Sequence, residues 1–279
     1  MRPASRVWFI TGAGRGLGRA FVEAALDAGD RVVAAVRDLR SLEQLAALHP
    51  DALRLVRLDV RDRAEVGSAV AIDHFGRLDV VVNNAGFGLV GAIEEVSPDE
   101  VAEIVDTNFL GALWVTQAVL PQLRAQRSGH IVQISTVGGV GTMPTFGMYN
   151  ATKWALEGFS AALAAEVAEF GIRVTIAELG GFDTAWATTS MRFATPNPAY
   201  DELRTSLFGT PIVPWDVGSA TSTEPSPSVA ASALLAHVDA ADGPLRLLVG
   251  DDAPVHVAAA LDVRRQDYRR DPRFTWPQG

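Results

Sequence analysis

The chain has 279 residues, 48% of them hydrophobic and 20% charged, enough apolar material for one domain spanning residues 1–279 with a substantial core. A formal net charge of -9 repels phosphate backbones and anionic lipid, which argues against nucleic-acid or membrane-surface partners. The absence of cysteine excludes disulfides, thiolate nucleophiles and cysteine-bound metals, and fits a reducing cytoplasm.

Short β-branched runs recur at residues 7–11, 31–37, 53–59, 80–83, 130–135, 173–177 and 245–249. They are continuously apolar rather than alternating, as expected of strands covered on both faces. Helical patterns separate them. The first runs over 19–28 and stops at Gly29, a C-cap. The segment 61–76 is short, so the helix before the fourth strand should be truncated by roughly one turn of about 3.6 residues. Ser97, Pro98 and Glu100 form a helix start with a capping box. The apolar stretch 107–123 is interrupted by Thr116, Gln117 and Pro121 and reads as a buried or interface helix rather than a membrane span. Residues 150–170 form a long alanine-rich helix ending at Gly171. Strands alternating with helices predict an α/β, doubly wound parallel sheet, a Rossmann fold with helices on both faces. Residues 185–228 are rich in proline, serine and threonine, and their Trp186, Met191 and Phe193 argue for a long lid over an apolar substrate. The charged tail after Asp262 is read as peripheral.

Thr11-Gly12-Ala13-Gly14-Arg15-Gly16-Leu17-Gly18 follows the first strand and opens the first helix. Glycines there permit positive φ and bring backbone N–H groups and a helix N-terminus to a pyrophosphate. Tyr149 and Lys153 lie four apart on a helix and share a face. A nearby ammonium would lower the phenol's pKa from its ordinary value near 10, suiting proton exchange with a carbonyl or alcohol oxygen. The five histidines have no metal-binding spacing, and no Gly-x-Ser-x-Gly elbow occurs, so neither a metal site nor a serine hydrolase is expected.

In order and spacing, these motifs resemble the short-chain dehydrogenase/reductase family in its standard-length form, strongly over about the first 190 residues and weakly to about Asp262. The resemblance implies a nicotinamide cofactor contacted by Gly12, Gly14, Arg15, Gly16, Leu17 and Gly18, by Arg37, Asp59 and Val60, and by Asn84, Ala85 and Gly86 after Asn83. Tyr149 and Lys153 complete the list with Gly180, Phe182 and Thr184. It makes Tyr149 the general acid and base, Lys153 its helper and ribose ligand, and Asn108 the holder of a relay water. The helices around 99–120 and 150–170 would build a homodimer or homotetramer, the latter through Ala151, Ala155, Ala162 and Ala165.

Three places depart from the family pattern. Thirteen residues before Tyr149, the family's serine position holds Thr136, with Ser135 one residue earlier as the alternative. Strand alternation favours Thr136 as the substrate-oxygen donor beside Tyr149. Leu179 stands where the family has proline. The second strand ends at Val36 rather than an acid, followed by Arg37, with Asp38 one place too late; Arg37 and Arg15 therefore favour a 2′-phosphate and NADP(H). The expected activity is hydride transfer at a carbonyl or secondary alcohol of a fairly apolar small molecule bound by Thr136, Tyr149, Trp186, Met191 and Phe193. An isomerising or otherwise non-redox enzyme and a silent NADP-binding sensor are the rival expectations.

Overall fold

A computed structural model of the chain describes residues 5–71, 74–183, 190–213 and 224–275. The seven expected strands are β1 (Val7–Thr11), β2 (Arg31–Val36), β3 (Leu53–Arg57), β4 (Val80–Asn83), β6 (Gly129–Thr136), β7 (Ile172–Leu179) and β9 (Arg246–Val249). They form one sheet in the order β3-β2-β1-β4-β6-β7-β9, with parallel pairing throughout. Two strands of three residues, β5 (Gly88–Val90) and β8 (Met191–Phe193), pair separately, also in parallel.

Side chains alternate across β1, which explains the two core layers. Trp8 and Ile10 point to the face covered by α1 (Gly16–Asp27), where Phe21, Val22 and Leu26 lie. The same layer receives Ala230, Ala231 and Leu234 of a late helix, Pro227–Asp239. Phe9 points the other way, into a layer with Val115, Val119 and Leu123 of α5 (Gly111–Gln126) and Leu163 and Val167 of α6 (Gly147–Val167). Both faces are therefore dry, and the continuous apolar strand sequences follow from that.

The remaining helices are α2 (Glu43–Leu48), the short α3 (Arg63–Ala71), α4 (Pro98–Val105), α7 (Asp201–Phe208), α8 (the Pro227–Asp239 helix) and α9 (Ala253–Tyr268). Ser97 caps α4 as expected: its Oγ accepts from Glu100 N, and Glu100 Oε2 accepts from Ser97 N at 2.8 Å. The buried His130 is structural. Its Nε2 lies 2.8 Å from Thr175 Oγ1, which lies 2.8 Å from His237 Nε2, and burial pushes the His130 pKa down to about 3.

The described parts of the segment 185–228 carry regular structure. Its end opens α8, with Ser226 as N-cap and Pro227 at the first position, because that helix has an apolar face to lay against α1. Its described middle carries β8, a 3-10 turn at Pro198–Tyr200 and α7. Arg204 of α7 is 2% exposed; it donates to Glu95, to Asp201 Oδ1 at 2.6 Å and to the Asn197 and Pro211 carbonyls, tying this middle to the loop after β5. Residues 263–268 continue α9 and are almost all exposed, in keeping with a peripheral position. Among the described residues no helix is long and apolar enough to cross a membrane.

Candidate active site

Strand order reverses between β1 and β4, and the glycine turn lies at the carboxyl end of β1, where doubly wound sheets open a crevice. Gly12 and Gly16 have φ of +63° and +54°, a region that favours glycine. At Gly18 a Cβ would stand 2.3 Å from the Gly12 carbonyl oxygen, so helix and turn close on each other only without a side chain. Thr11 Oγ1 accepts from Asn84 N (3.0 Å) and Ala85 N (3.1 Å), while Asn84 Nδ2 donates to the carbonyls of Thr11 (2.9 Å) and Gly12 (3.1 Å). These bonds lock the ends of β1 and β4 together. Arg15 is the extended N-cap of α1 and supplies no side-chain cap, so the first-turn N–H groups fit an incoming phosphate. Leu17 is half-buried against the core.

At the far end of the turn, Arg15 and Arg37 are exposed. The competing acid, Asp38, is taken: Arg40 donates to it through Nε (2.9 Å) and Nη2 (2.8 Å), which lowers the Asp38 pKa. Asp59 accepts from Arg61 Nη2 at 2.6 Å, and the charge of Arg37 also reaches it. The Val60 side chain is buried. It seats Gly111 of α5, where a Cβ would stand 2.7 Å from Val60 Cγ2.

The catalytic candidates converge at the carboxyl ends of β4 and β6. Asn108 sits in a π-helical turn, Asp106–Leu110, between α4 and α5; such turns are rare and recur at functional sites. Its amide accepts from Phe87 N (3.0 Å) and donates to Phe87 O (2.8 Å) and Thr152 Oγ1 (3.3 Å). A Cβ on Gly86 would stand 3.1 Å from Asn108 Oδ1 and 3.8 Å from Lys153 Nζ, so the β4 motif reaches the α6 pair. Lys153 Nζ donates to Ile134 O (2.8 Å) and lies 5.8 Å from the centroid of the Tyr149 ring. Thr136 hydrogen-bonds the Tyr149 hydroxyl side to side and donates from Oγ1 to Leu179 O at 3.2 Å. Ser135 points away, toward Glu157.

The matching family model, described as short chain dehydrogenase, covers residues 6–193. The chain belongs to that family. Over 263 residues it is 41% identical to the oxidoreductase BOA17 of Botryotinia fuckeliana, covering 93% of this chain and 94% of the relative. A 3-ketodihydrosphingosine reductase of Bacteroides thetaiotaomicron is 37% identical over 183 residues, 65% of each chain. The solved structure of a short-chain dehydrogenase from Streptomyces avermitilis superposes with a TM-score of 0.85 at 37% identity, covering 96% of both chains.

In this short-chain dehydrogenase the electrostatics of the pair differ from the expectation drawn from spacing. Burial pushes the Tyr149 phenol above its ordinary range, and only the Thr136 hydrogen bond pulls it down. Lys153 is itself pushed down to about 8 by burial, with Glu157 opposing. The ammonium faces the ring and the Ile134 carbonyl, so desolvation dominates over its pull on the phenol.

Leu179 at the family's proline position lets β7 continue, with Leu179 paired to both Thr136 and Val249. Gly180 packs against Asp252, whose Oδ2 accepts from Gly181 N at 3.1 Å, and Phe182 packs against Gly250 and the core. Met191 and Phe193 are half-buried on β8, beside β5. Thr184 and Trp186 lie outside the described residues. Sequence reasoning missed the residues that tie α6 to the turn after β6. Asn150 Nδ2 donates to Gly138 O (2.7 Å), and Trp154 Nε1 donates to Gly138 O (3.1 Å) and Gly141 O (3.2 Å). Their positions one after Tyr149 and one after Lys153 were the available signal.

Proposed function

We propose that the chain is an NADP(H)-dependent oxidoreductase moving a hydride between the nicotinamide and a carbonyl or secondary-alcohol carbon of a fairly apolar small molecule. The observation that carries this reading is the meeting of Thr136, Tyr149 and Lys153 beside Asn108 and Gly86. The N–H groups of Gly12 to Gly18 would hold the pyrophosphate, Arg15 and Arg37 the 2′-phosphate, Asp59 and Val60 the adenine end, and Asn84 to Gly86 the middle. Gly180, Phe182 and Thr184 would hold the nicotinamide end, with Lys153 on its ribose.

The single hydroxyl hydrogen of Thr136, donated to Leu179 O without substrate, would turn to the substrate oxygen. Tyr149 holds its proton at neutral pH because its pKa is raised, and so enters the reduction as the acid. It passes that proton to the oxygen as alkoxide charge develops there. Lys153 then stabilises the phenolate through the ring face, and Asn108 keeps the Phe87–Gly88 backbone in place beside it. The relay-water role expected of Asn108 is retained as part of this proposal. Met191, Phe193 and Trp186 would supply the apolar wall. The name of the Bacteroides relative, a ketone reductase, supports a carbonyl substrate. Ala151, Ala162 and Ala165 remain exposed on α6, which supports a homodimer or homotetramer joined there; the cysteine-free sequence supports a cytoplasmic location.

The test is oxidation of NADPH and NADH by the purified protein across a panel of apolar ketones and aldehydes. NADPH consumption with a product gaining a hydrogen pair is expected, and Arg37→Glu should reverse the cofactor preference. Preference for NADH in the wild type sinks the cofactor assignment. An unreduced, isomerised product sinks the redox one.

A further inference from the structure

Two helical turns along α6 from Tyr149, behind Ser135, lies a largely buried group of charges that the proposed chemistry leaves unused. Glu178 of β7 is 1% exposed and Glu157 of α6 is 7% exposed. One guanidinium, Arg246 of β9, serves both: its Nε lies 3.1 Å from Glu157 Oε2 and 3.2 Å from Glu178 Oε1. That nitrogen carries a single hydrogen, which it donates to Glu157. Glu178 Oε1, buried and reached by the charge of Arg246, has no hydrogen-bond partner among the described residues. Ser135 of β6 stands beside Glu157, and Lys153, one helical turn earlier on α6, is the other cation that reaches it. The turn Val137–Gly139 contributes no charge; its Gly139 is required there, since a Cβ would lie 2.6 Å from Ser135 Oγ and 3.1 Å from Glu157 Cγ. Three strands, α6 and the Val137–Gly139 turn thus close on the group, and water does not reach Glu178 Oε1.

Two ionised carboxylates in such a place would repel each other across one half-exposed guanidinium, and keeping a proton removes that penalty. We propose that Glu157 and Glu178 are positioning residues that share one proton, leaving Glu157 as the charged partner that keeps Lys153 an ammonium beneath Tyr149. Burial and mutual repulsion agree with this: Glu178 is raised to about 7, chiefly by desolvation and then by Glu157, and Glu157 is raised less, being opposed by Ser135, Arg246 and Lys153. Glu157, which receives the Arg246 hydrogen bond and faces Ser135 and Lys153, is the charged member, and Glu178 the protonated one.

The inference rests on the Tyr149–Lys153 reading, so its test needs one arm that does not depend on turnover. Infrared difference spectra of the cofactor-free protein, taken across neutrality, should show one carboxylic acid that ionises near neutral pH. That band should vanish in Glu178→Gln and persist in Tyr149→Phe. The second arm is the pH profile of NADPH oxidation. Glu157→Gln should move the alkaline limb of kcat to lower pH by about one unit, a tenfold loss at fixed pH on that limb, with KM for the carbonyl little changed. Glu157→Asp should restore most of the shift, which loss of packing alone would not allow. A wild-type protein with no carboxyl ionising near neutrality overturns the proposal, as does a folded Glu157→Gln enzyme with an unmoved limb. Undiminished turnover by Tyr149→Phe would instead overturn the catalytic reading while leaving the infrared result standing.

Discussion

Ser135 and Thr136 are chemically alike neighbours on β6 with different surroundings. Thr136 is half-buried, bonded to Leu179 O and to Tyr149, at the open end of the crevice. Ser135 is 3% exposed and faces Glu157 in the dry layer behind. A strand turns successive side chains to opposite faces, so a one-residue difference in position decides between substrate chemistry and core electrostatics. The same division runs along α6. Tyr149 meets Thr136 and Lys153 meets Tyr149, but the next turn carries Glu157 to the Ser135 side.

The largest effect expected on the Thr136 side comes from Tyr149→Phe, which removes the proton but little volume. Its kcat should fall by about 10²–10⁴-fold, the usual worth of a positioned general acid. Thr136→Val keeps the shape and loses the hydroxyl. It should lower kcat/KM by roughly 10–100-fold, as one hydrogen bond to a charged oxygen is worth about 1.5–3 kcal/mol. Steady-state kinetics with any ketone reduced by the wild type checks both. The comparison breaks if Ser135→Ala costs as much as Thr136→Val. The expected loss for Ser135→Ala is only about threefold, from a disturbed Glu157 rather than a lost substrate contact.

Much of this division was legible in the sequence. The seven apolar runs are the seven strands because burial on both faces leaves no alternation to misread. Alternation alone favoured Thr136 over Ser135. The strand limits were less visible: β6 and β7 run on to Thr136 and Leu179 because each completes the other's ladder, a long-range effect. The three-residue β5 and β8 exist only through pairing across some hundred residues, and no local pattern announces them. Ser226-Pro227 repeats the Ser97-Pro98 start and opens α8, a signal masked by the many other prolines of 185–228. No sequence pattern links Glu157, Glu178 and Arg246. Only the packing of α6, β7 and β9 makes them one buried group.

The smallest effect expected is on stability, and it isolates the Ser135 side without reference to turnover. Glu178 titrates near 4.5 when unfolded and about 7 when folded. A raised folded pKa means that the native state binds the proton more tightly. The resulting stability is fully present below the unfolded value, declines as pH rises through about 7, and is gone above it. Glu178→Gln carries no titrating proton. The difference in denaturation midpoint, variant minus wild type, should therefore grow between the two pKa values and level off above the higher one. Thr136→Val, on the other side of the strand, should leave that difference flat with pH. Parallel urea titrations of the three proteins at several pH values measure it. A flat curve for Glu178→Gln would mean that Arg246 neutralises both acids, and that the dry side of β6 holds an ordinary ion pair instead of a proton.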